Sequence, residues 1–478
     1  MKKRTAQDVD LDAFFNPRSV AVIGASADPQ SISARPLRML SQHGYPGALY
    51  PVNPRHTELR GLRVFPSIAT VPGQVDLALV AVPAPLVAGV LEECAAAGVR
   101  YAVVLSSGFA EIGAEGQRLQ DRIAEITRRS QLRVCGPNAE GFLYPLARVC
   151  ATFSPAVDPE QGYQMPADGN VAVVSQSGGL GFALLNRGRD LALTCGAVVS
   201  TGNEVDLSVL DYVEYLLEQP GIRVVLGFIE SMRDLDRLPV IAHRAAQLRK
   251  PIIVAKMGRS EAGRRAARAH TGSETGDESQ YARLFEEHGI LRVEDVDDML
   301  DLAAMLSIGR LPGGRRLALL TTSGGAGAWL ADACAERDFL LPLPNANIRA
   351  EIASFIPSYG SVGNPIDITA QAVFSGGFHR ALGLLVRSAD YDAVACVGSM
   401  AREDHFFSTL PELRHAVADS ASTIAFYAYT QPTPAIISAL AELGIPCYPT
   451  PLRAARALAG ARWYRAFLDR VHAEVVTV

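Results

Sequence analysis

Nowhere do the 478 residues contain 18 consecutive apolar side chains, so no membrane-spanning helix is expected. The opening MKKRTAQDVD passes from basic residues to polar ones, not to an apolar stretch, which argues against a secretory signal. Cysteine is sparse: seven residues, at 94, 135, 150, 195, 334, 396 and 447, with no C-x-x-C pair. That spacing argues against a disulfide framework and a zinc site, and no other metal site is expected. Reduced, mostly buried thiols in a cytoplasmic protein are the expectation. An excess of one charge is also missing. The net charge is −5, the pI about 6.0, and Lys and Arg form no long run. Neither nucleic acid nor a membrane is therefore an expected partner. Last, the first strand is not followed by the G-x-G-x-x-G fingerprint of nicotinamide enzymes, which makes a dehydrogenase a weak reading.

What the chain does have is a repeated opening. Residues 19–26 (SVAVIGAS), 170–181 (NVAVVSQSGGLG) and 316–327 (RLALLTTSGGAG) each run from an apolar strand into a small-residue turn. The second and third agree almost position by position. Their spacing, about 150 residues, matches the usual domain size. Strand-like runs alternate with amphipathic stretches, which predicts parallel sheets with crossover helices. In the first unit the strands are expected near 19–24, 48–52, 76–82, 101–105 and 132–135, with helical patterns at Pro85–Ala97 and Gly113–Arg128. The fold expected is α/β, in three domains at 1–150, 151–310 and 311–478, with Pro451–Val478 a single helix packed on the body.

Ligands of open parallel sheets lie beyond the carboxyl ends of the strands. Gly24, Ala25 and Ser26 end the first strand, where small residues admit a phosphate to backbone amides; a plain tight turn explains them equally. The second strand leads to Asn53 and Arg55. A cation there suits an additional phosphate, such as the 3′-phosphate of coenzyme A, better than ribose hydroxyls; a solvated surface charge is the bland alternative. Val82 and Pro83, then Ser106, Ser107 and Gly108, then Pro137 and Asn138 occupy the later strand ends, although turn chemistry alone accounts for each. Ser177, Gly178 and Gly179 form a concave set of amides at a helix start, as do Ser323, Gly324 and Gly325. Glu230 ends an apolar strand, as a ligand contact or as the cap of the next helix. His270 stands apart from the other eight histidines. It follows a basic stretch, residues 257–269, that reads as a loop carrying Arg259, Arg264, Arg265 and Arg268, ahead of a helix at Asp277–His288. A phosphoryl-accepting histidine needs a neutral ring nitrogen, a partner fixing the other nitrogen, and donors for the phosphate. Glu230 and the two Ser-Gly-Gly turns are the candidates for those roles.

The ordered set of motifs resembles the NDP-forming acyl-CoA synthetases of the succinyl-CoA synthetase superfamily. It comprises Tyr50-Pro-Val-Asn-Pro, Gly136-Pro-Asn138, Ser175-Gln-Ser-Gly178, Thr201-Gly-Asn203, Lys256-Met-Gly-Arg-Ser with Ala269-His-Thr-Gly272 and Gly289-Ile-Leu-Arg-Val293, Ser323-Gly-Gly-Ala-Gly327, and Gly363-Asn-Pro-Ile-Asp-Ile-Thr369. The likeness runs from about residue 12 to 465. It implies a Rossmann-like CoA-binding domain followed by two flavodoxin-like domains. The reaction implied is acyl-CoA plus ADP and phosphate to acid, CoA and ATP, through an acyl phosphate and a phosphohistidine at His270 that Glu230 holds. CoA would be a substrate. ADP or ATP with Mg would sit on a separate ATP-grasp β-type subunit, since no such domain fits in this chain, so a hetero-oligomer is implied. The chain departs from the family pattern at Ala139, where Cys is usual, at Ala269, where Ser is usual, and at Glu274, which adds negative charge near His270. A non-catalytic CoA-binding sensor or scaffold descended from such an enzyme is the alternative.

Overall fold

The computed structural model describes residues 10–271, 275–308, 310–418 and 420–476. The chain divides into two compact units, Met1–Asn186 with Thr194–Val293, and Arg187–Leu193 with Glu294–Val478.

The first unit contains two sheets. Strands β1 (Ser19–Ile23), β2 (Ala48–Val52), β3 (Leu77–Val80), β4 (Tyr101–Val104) and β5 (Arg133–Cys135) form a parallel sheet in the order β2-β1-β3-β4-β5. Every residue of β1, β3 and β4 is buried, as expected of parallel strands covered on both faces. Alternate side chains feed two cores. Val20 and Val22 pack in one with Leu37 and Leu40; Ala21 and Ile23 pack in the other with Val87 and Leu91. The intervening helices Ala84–Ala96 and Ala114–Arg129 fall within a residue of the expected positions. The second of these has Glu115 in its first turn and Arg128 and Arg129 in its last, complementing the helix dipole.

Strands β6 (Gly141–Tyr144), β7 (Val149–Thr152), β8 (Val171–Ser175), β9 (Cys195–Ser200), β10 (Val224–Ile229), β11 (Ile252–Lys256) and β12 (Leu291–Val293) make the second sheet, ordered β12-β11-β10-β8-β9-β6-β7. Its five parallel strands repeat the permutation of the first sheet, and the β6–β7 hairpin adds antiparallel pairs at one edge. A boundary at 150 would give β6 and part of β7 to the first domain. The chain instead pairs Leu143 with Val198 of β9 in the second sheet. A helical turn at Asp12–Phe15 wedges aromatic rings between the sheets. Phe14 stacks on Phe142 at 4.4 Å and lies edge-on to Tyr101 at 5.8 Å.

The second unit has one sheet, β13 (Leu317–Thr321), β14 (Ile366–Asp367), β15 (Ala393–Gly398), β16 (Thr423–Ala428) and β17 (Cys447–Tyr448), ordered β14-β13-β15-β16-β17. This is the same permutation a third time. The terminal helix Pro451–Val476 packs on Val296–Ile308, a helix that a boundary at 310 would assign to the middle domain. Small residues (Ala454, Ala455, Ala461) let the helices approach, and Arg453 holds the buried Asp301 with two bonds of 2.6 and 2.7 Å.

Candidate active site

A cleft of about 590 Å³ opens in the first unit where the carboxyl ends of both sheets face each other. From the first sheet it is lined by Ser31–Ser33, Ala81–Pro83 and Leu105–Ser107; from the second by Gln176–Gly179 and Asn203; Asn138–Glu140 and Phe153 join the two. Of the expected CoA contacts, Val82, Pro83, Ser106, Ser107 and Asn138 line it. Gly24, Ala25, Ser26, Asn53, Arg55, Gly108 and Pro137 are not in the lining. Gly24 adopts φ +89°, and a β-carbon there would lie 2.7 Å from Ala81 O, so its turn needs glycine whatever binds. Asn53 spends its side chain on the turn itself, donating to Ala25 O (2.8 Å) and accepting from Arg55 N (2.9 Å). Arg55 is exposed.

Backbone pairing fixes the cleft walls relative to one another. Asn203 N, Val205 N and Leu207 N donate to Pro137 O, Gly136 O and Val134 O at 2.8–3.0 Å. Asp206, almost fully buried, accepts from Arg133 Nε (2.8 Å) and Val134 N (3.0 Å). Asn203 also ties to Glu111 (2.8 Å) and Gln120 (2.9 Å). The Thr201-Gly-Asn203 and Gly136-Pro-Asn138 motifs are thus two halves of one junction. Gly202 meets it so closely that a β-carbon would lie 2.3 Å from Pro137 O.

The Ser177 turn enters α1 (Gly178–Gly188) directly from β8. Ser175 Oγ donates to Ser177 O at 2.5 Å. Gln176, which the sequence reading passed over, ties this turn to the end of β10: its Oε1 accepts from Glu230 N (2.6 Å) and Ser231 N (3.1 Å), and its Nε2 donates to Ser231 O (2.7 Å). Glu230 is therefore held beside the turn, and only 8% of its surface is exposed. It caps no helix, because the next α-helix begins at Leu238. Lys256, at the end of β11, lies over the Tyr281 ring (4.8 Å) and donates to Met257 O (2.6 Å). Burial pushes its ammonium down to about 8, against the pull of Glu278 and Glu230. Behind the turn, buried Glu204 accepts from Thr201 Oγ1 (2.8 Å) and Val209 N (3.0 Å). Burial raises its carboxyl to about 7.

The stretch expected as a basic loop is mostly helix. α2 spans Glu261–Thr271, so the backbone of His270 is helical. Ala and Arg are strong helix formers, Ser260 Oγ accepts from Gly263 N (3.0 Å), and Glu261 pairs with Arg265 one turn on. With no large apolar residue on it, the segment lacks the periodic signal by which helices are read from sequence. The side chains of Ala269, His270 and Thr271 lie outside the described residues, as do Gly272, Ser273 and Glu274. The helix expected after it is seen at Glu278–Glu287, capped by Asp277.

In the second unit, β13 leads through Ser323 into α3 (Gly324–Ala335). Thr321 Oγ1 donates to Ser323 O (2.7 Å), and Ser323 N donates back to Thr321 Oγ1 (2.9 Å). Beside Thr322 lies a pocket of about 220 Å³ walled by Phe374, Phe378, Phe406, Phe426 and Tyr429. His379 also lines it, with Nδ1 buried and unbonded, and burial lowers the pKa of this histidine.

Known proteins match this architecture along its length. The CoA binding domain family matches residues 18–145, the succinyl-CoA ligase like flavodoxin domain family residues 168–306, and the Ligase-CoA domain family residues 317–385. The acetate–CoA ligase (ADP-forming) I subunit alpha of Pyrococcus furiosus is 35% identical over 467 residues, which cover 94% of this chain and 96% of that protein. The chain belongs to the NDP-forming acyl-CoA synthetase family. The solved dinucleotide forming acetyl-coenzyme A synthetase 1 of Ca. Korarchaeum cryptofilum, in complex with phosphate and ADP, superposes with a TM-score of 0.84 at 34% identity, covering 97% of this chain and 99% of that one. The 4-hydroxybutyrate–CoA ligase (ADP-forming) of Nitrosopumilus maritimus is 30% identical over 377 residues, 78% of this chain and 52% of that protein. Likeness along nearly the whole of an α subunit decides for a catalytic acyl-CoA synthetase, with CoA as substrate, over a non-catalytic CoA sensor. All seven cysteines of this family member are buried, and none is paired. No helix among the described residues is long and apolar enough to cross a membrane.

Proposed function

We propose that this chain is the phosphohistidine-carrying α-type subunit of an ADP-forming acyl-CoA synthetase, with His270 as the carrier. Phosphate attacks the thioester carbonyl; a C–O bond forms, the C–S bond breaks, and CoA leaves. A neutral ring nitrogen of His270 then attacks phosphorus, and the P–O bond to the carboxylate breaks. The phosphohistidine passes its phosphoryl group to ADP, held with Mg on a separate ATP-grasp subunit in a cytoplasmic hetero-oligomer. Glu230 fixes the His270 ring, and the amides of Ser177–Gly179 hold the phosphate. Ser323–Gly325 takes the same phosphate-binding role on the geometry of its own turn. Splitting the transfer replaces one difficult step with easier ones, and the protein contributes position and charge stabilisation.

The observation that carries this reading is the cleft. It runs from the strand ends that suit CoA to the Ser177 turn, beside which Gln176 fixes the backbone of Glu230. The test is His270→Ala in the complex with the ATP-grasp subunit. ATP synthesis from acyl-CoA, ADP and phosphate should fall by about 10³-fold or more, as when a group that acts as one unit with its neighbours is removed. Calorimetric CoA affinity should be unchanged. A variant that still makes ATP at the original rate would sink the phosphohistidine reading.

A further inference from the structure

Among the residues lining the cleft, Glu140 is the only one with an ionisable side chain. It stands between Asn138 and Ala139, on the first-sheet side, and the Ser177 turn. A β-carbon built on Gly178 would lie 2.7 Å from both Cβ and Oε2 of Glu140, so the carboxyl rests against the first turn of α1. Its backbone is pinned on both sides. Glu140 N donates to Ser200 Oγ (2.9 Å), and Glu140 O accepts from Thr152 Oγ1 (2.6 Å). What faces it from β7, β9, α1 and the segment after β7 is Thr152, Ser200, Gly178 and Ser154. None of these is charged, and among the described residues Glu140 forms no ion pair. Neither the acyl transfer nor the phosphoryl transfer proposed for His270 gives it a task.

From this placement we infer that Glu140 is the acid–base group for the CoA thiol, protonating the thiolate as phosphate displaces it and taking the proton back in the reverse direction. The inference rests on the proposed reaction. In the phosphorolysis direction, phosphate oxygen bonds to the acyl carbon and the C–S bond breaks. The sulfur leaves with its electron pair, and the Glu140 proton goes to it. In thiolysis, the carboxylate takes the S–H proton, sulfur attacks the acyl phosphate, and phosphate leaves. A free thiol has a pKa of about 8.5, so a thiolate leaving group gains from a proton delivered in the transition state. Burial already raises the Glu140 carboxyl, against a hydrogen bond from Ser154. A phosphate dianion at the adjoining turn would favour the neutral form further, so the acid is loaded when phosphate is ready to attack. The competing reading is a carboxylate that simply caps α1. The amide oxygen of glutamine would cap it as well, which separates the two.

The test uses the full-length chain with CoA and acetyl, propionyl or benzoyl phosphate, following acyl-CoA formation, a reaction that needs no nucleotide. Wild type should be fastest above the Glu140 pKa, with rate falling on the acid side. Glu140→Gln should lose about 10²-fold or more in kcat together with that pH limb, and leave KM for CoA unchanged. Glu140→Asp should keep the limb at a reduced rate. Phosphorylation of His270 by the same acyl phosphate, which involves no thiol, should not share this loss of about 10²-fold in either variant. Thiolysis by Glu140→Gln at the wild-type rate and with the wild-type pH profile would overturn the assignment. Wild-type protein that neither thiolyses nor becomes phosphorylated with any of these probes would overturn the parent reading instead.

Discussion

Ser175 Oγ closes the Ser177 turn by donating to Ser177 O, and Thr321 Oγ1 closes the Ser323 turn in the same way. In both, the glycine four residues after the serine presses its helix onto the strand. A β-carbon at Gly181 would lie 2.9 Å from Ser175 Cβ, and one at Gly327 would lie 2.6 Å from Thr321 Cγ2. In both, a carboxylate faces the first helical glycine: Glu140 at Gly178 and Asp367 at Gly324. The surroundings then diverge. Asp367 ends the neighbouring strand of its own sheet, and its Oδ1 is taken by Thr369 N (2.9 Å). Glu140 arrives from a different part of the chain, ahead of β6, and brings a cleft with it. Behind Ser175 sits the buried acid Glu204, whereas beside Thr322 sits an aromatic pocket. The repeated sequence therefore encodes one strand–turn–helix device, built twice. The chemistry that distinguishes the two copies comes from residues outside the repeat.

The divergence can be broken most strongly at Glu204. Its folded-state pKa, about 7, lies above the ordinary carboxyl value, so the folded protein holds a proton that the unfolded chain has lost between those two values. Stability should then be fully present at low pH and fall as pH rises toward 7. At about 1.4 kcal/mol per pH unit, the loss amounts to about 3 kcal/mol. Glu204→Gln should flatten this decline when thermal midpoints are compared at pH 5 and pH 8, and an unchanged slope would remove Glu204 from the account. Gly178→Ala tests the crowding at the first turn. Displacing Glu140 by about an ångström should cost about 10²-fold in acyl-CoA formation, measured by the same thiolysis assay. Gly181→Ala and Gly327→Ala should each destabilise their own unit by about 1–3 kcal/mol in denaturant titrations. Unequal losses would mean that the two turns are not the same device. The smallest effects are expected at Gly179 and Gly325, where an added β-carbon meets nothing within 4 Å. Alanine there should stabilise by up to about 1 kcal/mol.

Much of this arrangement is legible without coordinates because it rests on period and turn chemistry. The strand runs 19–24, 48–52 and 101–105 are short, mostly apolar stretches bounded by turn-forming residues, and the strands observed are Ser19–Ile23, Ala48–Val52 and Tyr101–Val104. The SQSGGLG and TSGGAG repeats mark both helix starts, and they are where the helices begin. What escaped the sequence has no local signature. Gln176 matters through three bonds to a strand end more than 50 residues away. Glu140 is one letter after Gly-Pro-Asn-Ala, and only the fold turns it toward Gly178. The β6–β7 hairpin joins the second sheet through pairing across more than 50 residues, which no linker announces. Helix α2 was hidden for the opposite reason. Its signal is intrinsic propensity in Ala and Arg, not an apolar face. The aromatic pocket of the second unit draws on residues from 322 to 429, and no single motif contains it.

The most direct test of the central claim is mass analysis of the purified chain after incubation with acyl-CoA and phosphate, kept alkaline throughout because phosphohistidine is acid-labile. A gain of one phosphate, mapped to the peptide containing His270 and lost in His270→Ala, is the result expected. Unmodified protein with every acyl-CoA tried, even with an ATP-grasp subunit and ATP added, would contradict the account.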